Sequence, residues 1–188
     1  NEKILKQLPS GAIPKNISAL KIDLFKFDSQ QKSFLKAVSA AMKDVDILIN
    51  TAGSLVVQDF MKFSNEKARE MMEINFFGPA SVIRALKPLM KKGAHIVNIS
   101  SMGGYQGSSK YKGLSYYSAS KAAISCLSEC LAGEFGGSGI SVNCLALGAV
   151  QTQMFEEAFP GKDAPVSAKE MAEFIVDFAQ NGNRFFNG

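Results

Sequence analysis

Tyr117 and Lys121, four residues apart, define the chemistry this chain could perform. Inside a helix that spacing places both side chains on one face. An ammonium group held there favours the ionised form of a phenol, whose reference pKa is about 10. Tyr117 is therefore a candidate proton donor and acceptor near neutral pH. Its neighbour Tyr116 has no lysine four residues on. Most tyrosine–lysine pairs at this spacing are ordinary surface side chains, so the surrounding sequence must carry the argument.

Upstream, Ile96-Val97-Asn98-Ile99-Ser100-Ser101 reads as an apolar strand ending in two hydroxyls, followed by Gly103-Gly104. Earlier still, Asp46-Ile47-Leu48-Ile49-Asn50-Thr51-Ala52-Gly53 reads as a second apolar strand running into a small-residue turn. Between them Asn75 lies inside a helical pattern. In this order of strand-Asn-x-Ala-Gly, helical Asn, strand-Ser and Tyr-x-x-x-Lys, the chain resembles the short-chain dehydrogenase/reductase family. The resemblance runs from about Asp23 to Thr152 and more loosely to the end.

The resemblance implies an NAD(P)-dependent oxidoreductase that reversibly reduces a carbonyl or oxidises an alcohol by hydride transfer. It gives Tyr117 the acid/base role and Lys121 the tasks of lowering the phenol pKa and holding the nicotinamide ribose. Ser101 would donate a hydrogen bond to the substrate oxygen, and Asn75 would hold a water of the proton relay. Adjacent strand residues face opposite ways, so only one of Ser100 and Ser101 can serve, and the family pattern favours Ser101. Without the resemblance, Ser101 reads as a strand-end serine bonded to backbone, and Asn75 as a polar residue bonded within its own helix. For NAD or NADP, the family pattern puts Asn50, Ala52 and Gly53 on the adenosine side and Asp23 at the adenine. Gly148, Val150 and Thr152 fall in the segment facing the nicotinamide. Asp23 reads equally as a helix or turn cap. Leu147 stands where the family has proline, and Thr51 where it has a second asparagine. The interval from Ser101 to Tyr117 is a few residues longer than is common in the family. The added residues, Tyr105 to Lys112, would form a flexible polar loop shaping the substrate mouth. Met154, Phe155 and Phe159 fall in the family's lid region and suit either a partly apolar substrate or ordinary packing.

Short apolar strands alternate with amphipathic helices, which implies a doubly wound parallel sheet of the Rossmann-like α/β class in a single domain, residues 1–188. Expected strands are Ala19–Asp23, Asp46–Asn50, Ala94–Ser100 and Ile140–Leu147. Expected helices are Gln30–Met42 capped by Ser29, one from Ser64 to about Met90, Ser115 to about Phe135, and Ala168–Gln180. Pro88 should bend or tighten the end of the second. Ligands bind at the carboxyl ends of parallel strands, where Asp23, Asn50 to Gly53, Ser101 and Gly148 all fall.

The chain has 188 residues, 46% hydrophobic and 20% charged, with a formal net charge of +4. The basic residues are scattered, which argues against a nucleic-acid partner. No apolar run approaches the roughly 20 residues of a membrane span. Three cysteines are too few for a disulfide framework, and one histidine makes a zinc site unexpected. Cys126, Cys130 and Cys144 read as reduced core thiols of a cytoplasmic protein. His95 reads as a surface or sheet-end residue with no role. Phe76, Phe77, Leu127 and Leu131 exceed what one sheet face needs, and the family's equivalent helices pair across a two-fold axis. A homodimer or homotetramer is therefore expected. No glycine-rich turn of the kind that cradles a pyrophosphate is present. The family's first βαβ segment and last strand are expected to lie outside these residues. Two other readings stay open: a cofactor-binding regulator without turnover, and a non-catalytic interaction fragment.

Overall fold

The computed structural model describes residues 17–188. Three parallel strands, β1 (Ile47–Asn50), β2 (His95–Ser101) and β3 (Ser141–Leu147), form the main sheet in the order β1-β2-β3. Asn50 pairs with Asn98 in register, and Ser101 with Leu147. The helices are α1 (Phe27–Ala41), α2 (Asn65–Met72), α3 (Gly78–Leu86), α4 (Ser115–Gly136), α5 (Gln153–Ala158) and α6 (Ala168–Asn181). A small parallel ladder joins β4 (Val150–Gln151) to β5 (Val166–Ser167) and ties together the two ends of the segment carrying α5.

The sheet is covered on both faces. Asn98 and Ser100 of β2 bond to α4, whereas His95 bonds to Ala179 of α6. Strands buried this way need near-continuous apolar sequence, and Ile96, Val97 and Val142 are completely buried. Each such side chain contributes about 1.5–3 kcal/mol relative to an exposed position. Phe27, Val82, Ile83, Leu86 and Ile140 complete the core between α1, α3 and the sheet.

Several sequence expectations change. Ala19–Asp23 is not a strand. A strand needs a ladder partner, and none among the described residues lies beside that segment. Asp23 instead caps a 3-10 turn, Leu24–Lys26, by accepting from the Phe25 N–H. That turn starts α1 at Phe27, so Ser29 lies within the first turn and donates back to Lys26 O rather than capping. Ser64 does cap its helix, accepting from Lys67 N–H. The expected single helix beyond it is interrupted by a π-turn, Glu73–Phe77, between α2 and α3. Pro79 has no N–H to give the Asn75 carbonyl, which removes the ordinary α bond at this point. Pro88 tightens the end into a 3-10 turn, Lys87–Leu89. His95 is at the sheet end but buried, not superficial. Cys126 and Cys130 are exposed rather than core thiols, because they lie on the face of α4 turned away from the sheet. The expected first βαβ segment lies outside the described residues.

Candidate active site

The candidate groups converge at the carboxyl ends of β1 and β2. Ser101 ends β2, and Tyr117 and Lys121 stand on the first turns of α4. Gly104 lets the loop after β2 lie against that helix. A methyl there would be 2.6 Å from the Lys121 carbonyl carbon and 2.7 Å from Ala122 N. Ser100 turns the other way, is buried, and donates to Lys121 O at 2.7 Å. Of the two serines it thus holds the helix; Ser101 accepts from Gly103 N–H at 3.1 Å, the backbone bond its strand-end position suggested, and also meets the Tyr117 phenol.

Lys121 is buried and donates to Ile99 O at 2.9 Å. Burial pulls its pKa down to about 8, so most of it is still protonated at pH 7. Burial pushes the Tyr117 phenol above its ordinary value, and interaction with the Ser101 hydroxyl partly offsets this. The expected depression of the phenol by Lys121 is not found: the ammonium lies 5.9 Å from the ring centroid, and burial dominates. Tyr116 is held apart by Phe60 and Phe63, with ring centroids at 5.6 and 4.8 Å.

Asn75 sits in the π-turn, fully buried. Its Oδ1 accepts from Ser54 N–H at 2.7 Å, and its Nδ2 donates to Ser54 O and Ser120 Oγ, each at 2.9 Å. It therefore bonds outside its own helix and pins the turn after β1. Gly53 lies in that turn. A methyl there would be 3.4 Å from both Asn75 Oδ1 and Lys121 Nζ. Gly53, Asn75, Lys121, Tyr117 and Ser101 thus form one constellation, and Asn50 ends β1 just before it, bonded to Asn98.

The remaining candidates are not tied to it. Asp23 and Ala52 are exposed, and the Asp23 carboxylate is engaged as a cap. Gly148 is exposed with open space around its Cα, Val150 pairs with Val166, and Thr152 caps α5 by accepting from Phe155 N–H. Phe155 and Phe159 pack on each other with centroids 5.2 Å apart.

The loop from Tyr105 to Lys112 is tied rather than loose. Lys110 Nζ donates to Gly103 O, Tyr105 O and Ser108 Oγ. Beside it lies a cavity of about 550 Å³ lined by Phe60, Tyr111, Lys112, Leu114, Ser115 and Ser118.

Sequence reasoning missed a second set of residues behind the site. Asn98, Ser120 and Ser128 are fully buried and hydrogen-bonded. The available signal was Asn98, an amide in the middle of an otherwise apolar strand, which demands a buried partner.

The family model for short chain dehydrogenases matches residues 1–163. An uncharacterized oxidoreductase of Staphylococcus epidermidis is 29% identical over 76% of this chain, which spans 61% of that relative's length. A dehydrogenase/reductase SDR family protein 7-like of Drosophila melanogaster is 34% identical over 77% of this chain and 44% of its own length. Among solved structures, a short-chain dehydrogenase/reductase from Brucella melitensis superposes with TM-score 0.86 at 20% identity, covering all of this chain and 79% of that one. A putative short chain dehydrogenase from Escherichia coli complexed with NADPH gives TM-score 0.83 at 23% identity over 98% of this chain and 79% of its own.

Proposed function

Since the chain belongs to the short-chain dehydrogenase family, we propose that it is part of an NAD(P)-dependent oxidoreductase that reversibly reduces a small carbonyl compound to an alcohol. The observation that carries this reading is that Lys121 and Asn75 meet at Gly53 while Ser101 stands at the Tyr117 phenol, one helical turn from Lys121 on α4.

The residues present fit a nicotinamide dinucleotide. The Asn50–Gly53 turn ends in a glycine, so no side chain at that position stands between a ligand and the backbone. Lys121 has three N–H donors and gives one to Ile99 O, which leaves others for ribose hydroxyls. Ala52 and Gly53 would line the adenosine side, Asp23 would meet the adenine, and Gly148, Val150 and Thr152 would face the nicotinamide. The bound nicotinamide supplies or accepts the hydride.

The side chains handle the oxygen and its proton. Ser101 donates a hydrogen bond to the substrate oxygen and holds it beside the phenol. Tyr117, kept protonated by burial, gives its proton to the developing alkoxide and takes it back in the reverse direction. The Lys121 ammonium steadies the phenolate left behind. Asn75 fixes the turn after β1 and orders a water that returns the proton to Tyr117. The cavity beside Phe60 and Tyr111 serves as the substrate mouth. The three free cysteines support a reducing, cytoplasmic setting. The exposed Phe77 and the outer face of α4 support assembly as a homodimer or homotetramer.

Fluorescence titration with NAD and NADP, followed by turnover of a panel of small ketones, tests the proposal. Cofactor binding with no turnover on any carbonyl or alcohol would identify a regulator instead. A protein that binds neither cofactor would be an interaction module.

A further inference from the structure

We propose that Asn98 and Ser128 are positioning residues that decide which atom of the Asn50 amide faces the cofactor. The inference rests on the cofactor role proposed above for Asn50.

One proton sets the polarity of this chain of hydrogen bonds. The Ser128 hydroxyl carries a single hydrogen, and it is donated to Ile124 O at 2.7 Å. Towards Asn98, 2.9 Å away, the Ser128 oxygen can therefore only accept. Asn98 must turn its Nδ2 to Ser128, which leaves its Oδ1 for Asn50, 2.8 Å away. That oxygen also can only accept, so Asn50 must present Nδ2 inward. The atom of Asn50 that remains is Oδ1. Among the described residues it has no protein partner, and no buried side-chain oxygen or nitrogen there lacks one. The Asn50 Oδ1 is therefore accessible at the carboxyl end of β1.

Asn98 and Ser128 are themselves completely buried, so neither can touch a ligand. Two apolar side chains could fill the same space between β2 and α4 without the desolvation cost of polar groups. What the polar pair adds is direction. With the amide held this way round, Asn50 offers an acceptor, which suits a hydroxyl or amino donor on the nucleoside part of NAD(P). Flipped, the same amide would offer a donor, which an amino group cannot accept and a hydroxyl could accept only by redirecting its own hydrogen.

The test is a cofactor titration of the intact protein and three variants: Ser128→Ala, Asn50→Asp, and the double variant. Ser128→Ala leaves the Asn98 amide free to turn. Cofactor Kd should rise about fivefold, a fraction of one buried hydrogen bond, while KM for the carbonyl substrate stays unchanged. Asn50→Asp keeps the outward oxygen but sets a second oxygen against Asn98 Oδ1, and should weaken cofactor binding by about tenfold or more. In the double variant Asn98 is free to turn its Nδ2 to the new carboxylate, so binding should be tighter than with Asn50→Asp alone. A double variant weaker than either single one would mean that Ser128 only packs, and would overturn the proposal. So would unchanged cofactor binding in Asn50→Asp. Should that variant not fold, proton exchange at the Asn98 side-chain amide decides: slow in the unmutated protein and faster in Ser128→Ala is expected, and equal rates overturn it. Failure of the unmutated protein to bind NAD or NADP removes the underlying cofactor reading, and the first titration shows that separately.

Discussion

Burial acts on Tyr117 and Lys121 in opposite chemical senses: it keeps the phenol protonated and loosens the proton of the ammonium. At pH 7 the pair is a neutral acid beside a cation, the state needed to protonate an alkoxide. Tyr117→Phe removes the hydroxyl and keeps the ring, so turnover should fall by about 10²–10⁴ with the fold intact. Tyr116→Phe, which keeps the ring stacked on Phe60 and removes a hydroxyl that has no lysine four residues on, should cost far less. Steady-state rates of the two variants check this, and similar losses in both would sink the assignment. The Lys121 value of about 8 has its own signature. Carbonyl reduction should weaken as pH rises through about 8, because the ammonium that steadies the phenolate is lost. Stability should move the other way. Between about pH 8 and 10.5 the unfolded chain holds the Lys121 proton more tightly than the folded one, so unfolding free energy should rise with pH. Lys121→Met should raise Tm and abolish turnover. A Tm that falls would show that the burial cost is smaller than the bond to Ile99 O.

At the scale of elements, the π-turn decides where Asn75 goes. It turns the amide out of its own helix and onto Ser54. Pro79→Ala restores the N–H that an α-helix needs. Relaxation to a regular helix should then withdraw Asn75, lowering turnover by about tenfold or more while stability holds or rises. Equal activity with a crystal structure still showing the π-turn would mean that Pro79 is not its cause. At the opposite end of the sheet, His95 joins three elements. Its Nδ1 lies 2.9 Å from Ala179 O, and its Nε2 lies 2.8 Å from Asn143 Nδ2, which also donates to Phe186 O. Nε2 therefore accepts and Nδ1 carries the hydrogen, so the neutral ring satisfies both bonds. Phe178 packs beside the ring. Asp177 is engaged by Asn181, and Arg184 lies over Phe185. Burial lowers the His95 pKa, so the folded chain resists a proton that the unfolded chain accepts. Stability should be full above about pH 6.5 and fall as pH drops below it. Urea titrations from pH 7.5 to 5 should show that slope, flattened in His95→Gln; an unchanged slope would clear His95 of it.

For the whole molecule, the outer face of α4 is a row of small exposed residues, Ser115, Ala119, Cys126 and Gly133, with Phe77 also exposed on the preceding helical run. Such a row permits close approach of a second helix. A homodimer or homotetramer formed there should appear by light scattering at micromolar concentration and should protect Cys126 and Cys130 from thiol reagents. A monomer, or two thiols that react at the same rate at every concentration, would remove that assembly.

Much of this protein was legible locally. Ser64 announces a helix, Pro88 its tightened end, and the runs Ile47–Asn50 and His95–Ser101 their strands, because caps and apolar runs act over a few neighbouring residues. Spacing alone put Tyr117 and Lys121 on one helix face, whereas Ser101 and Asn75 became candidates only through the family resemblance. What needed the tertiary structure was everything settled between segments distant in sequence. Ala19–Asp23 has strand-like sequence but forms no ladder among the described residues, and Asp23 turned into a cap. Cys126 and Cys130 looked like core residues until α4 was set down on its other face. The pKa directions of Tyr117 and Lys121 follow from burial between β2 and α4, which spacing alone does not report. The orientation of the Asn50 amide is set 78 residues away by the Ser128 hydroxyl, through Asn98, because a hydrogen-bond chain passes on its polarity only when its members touch.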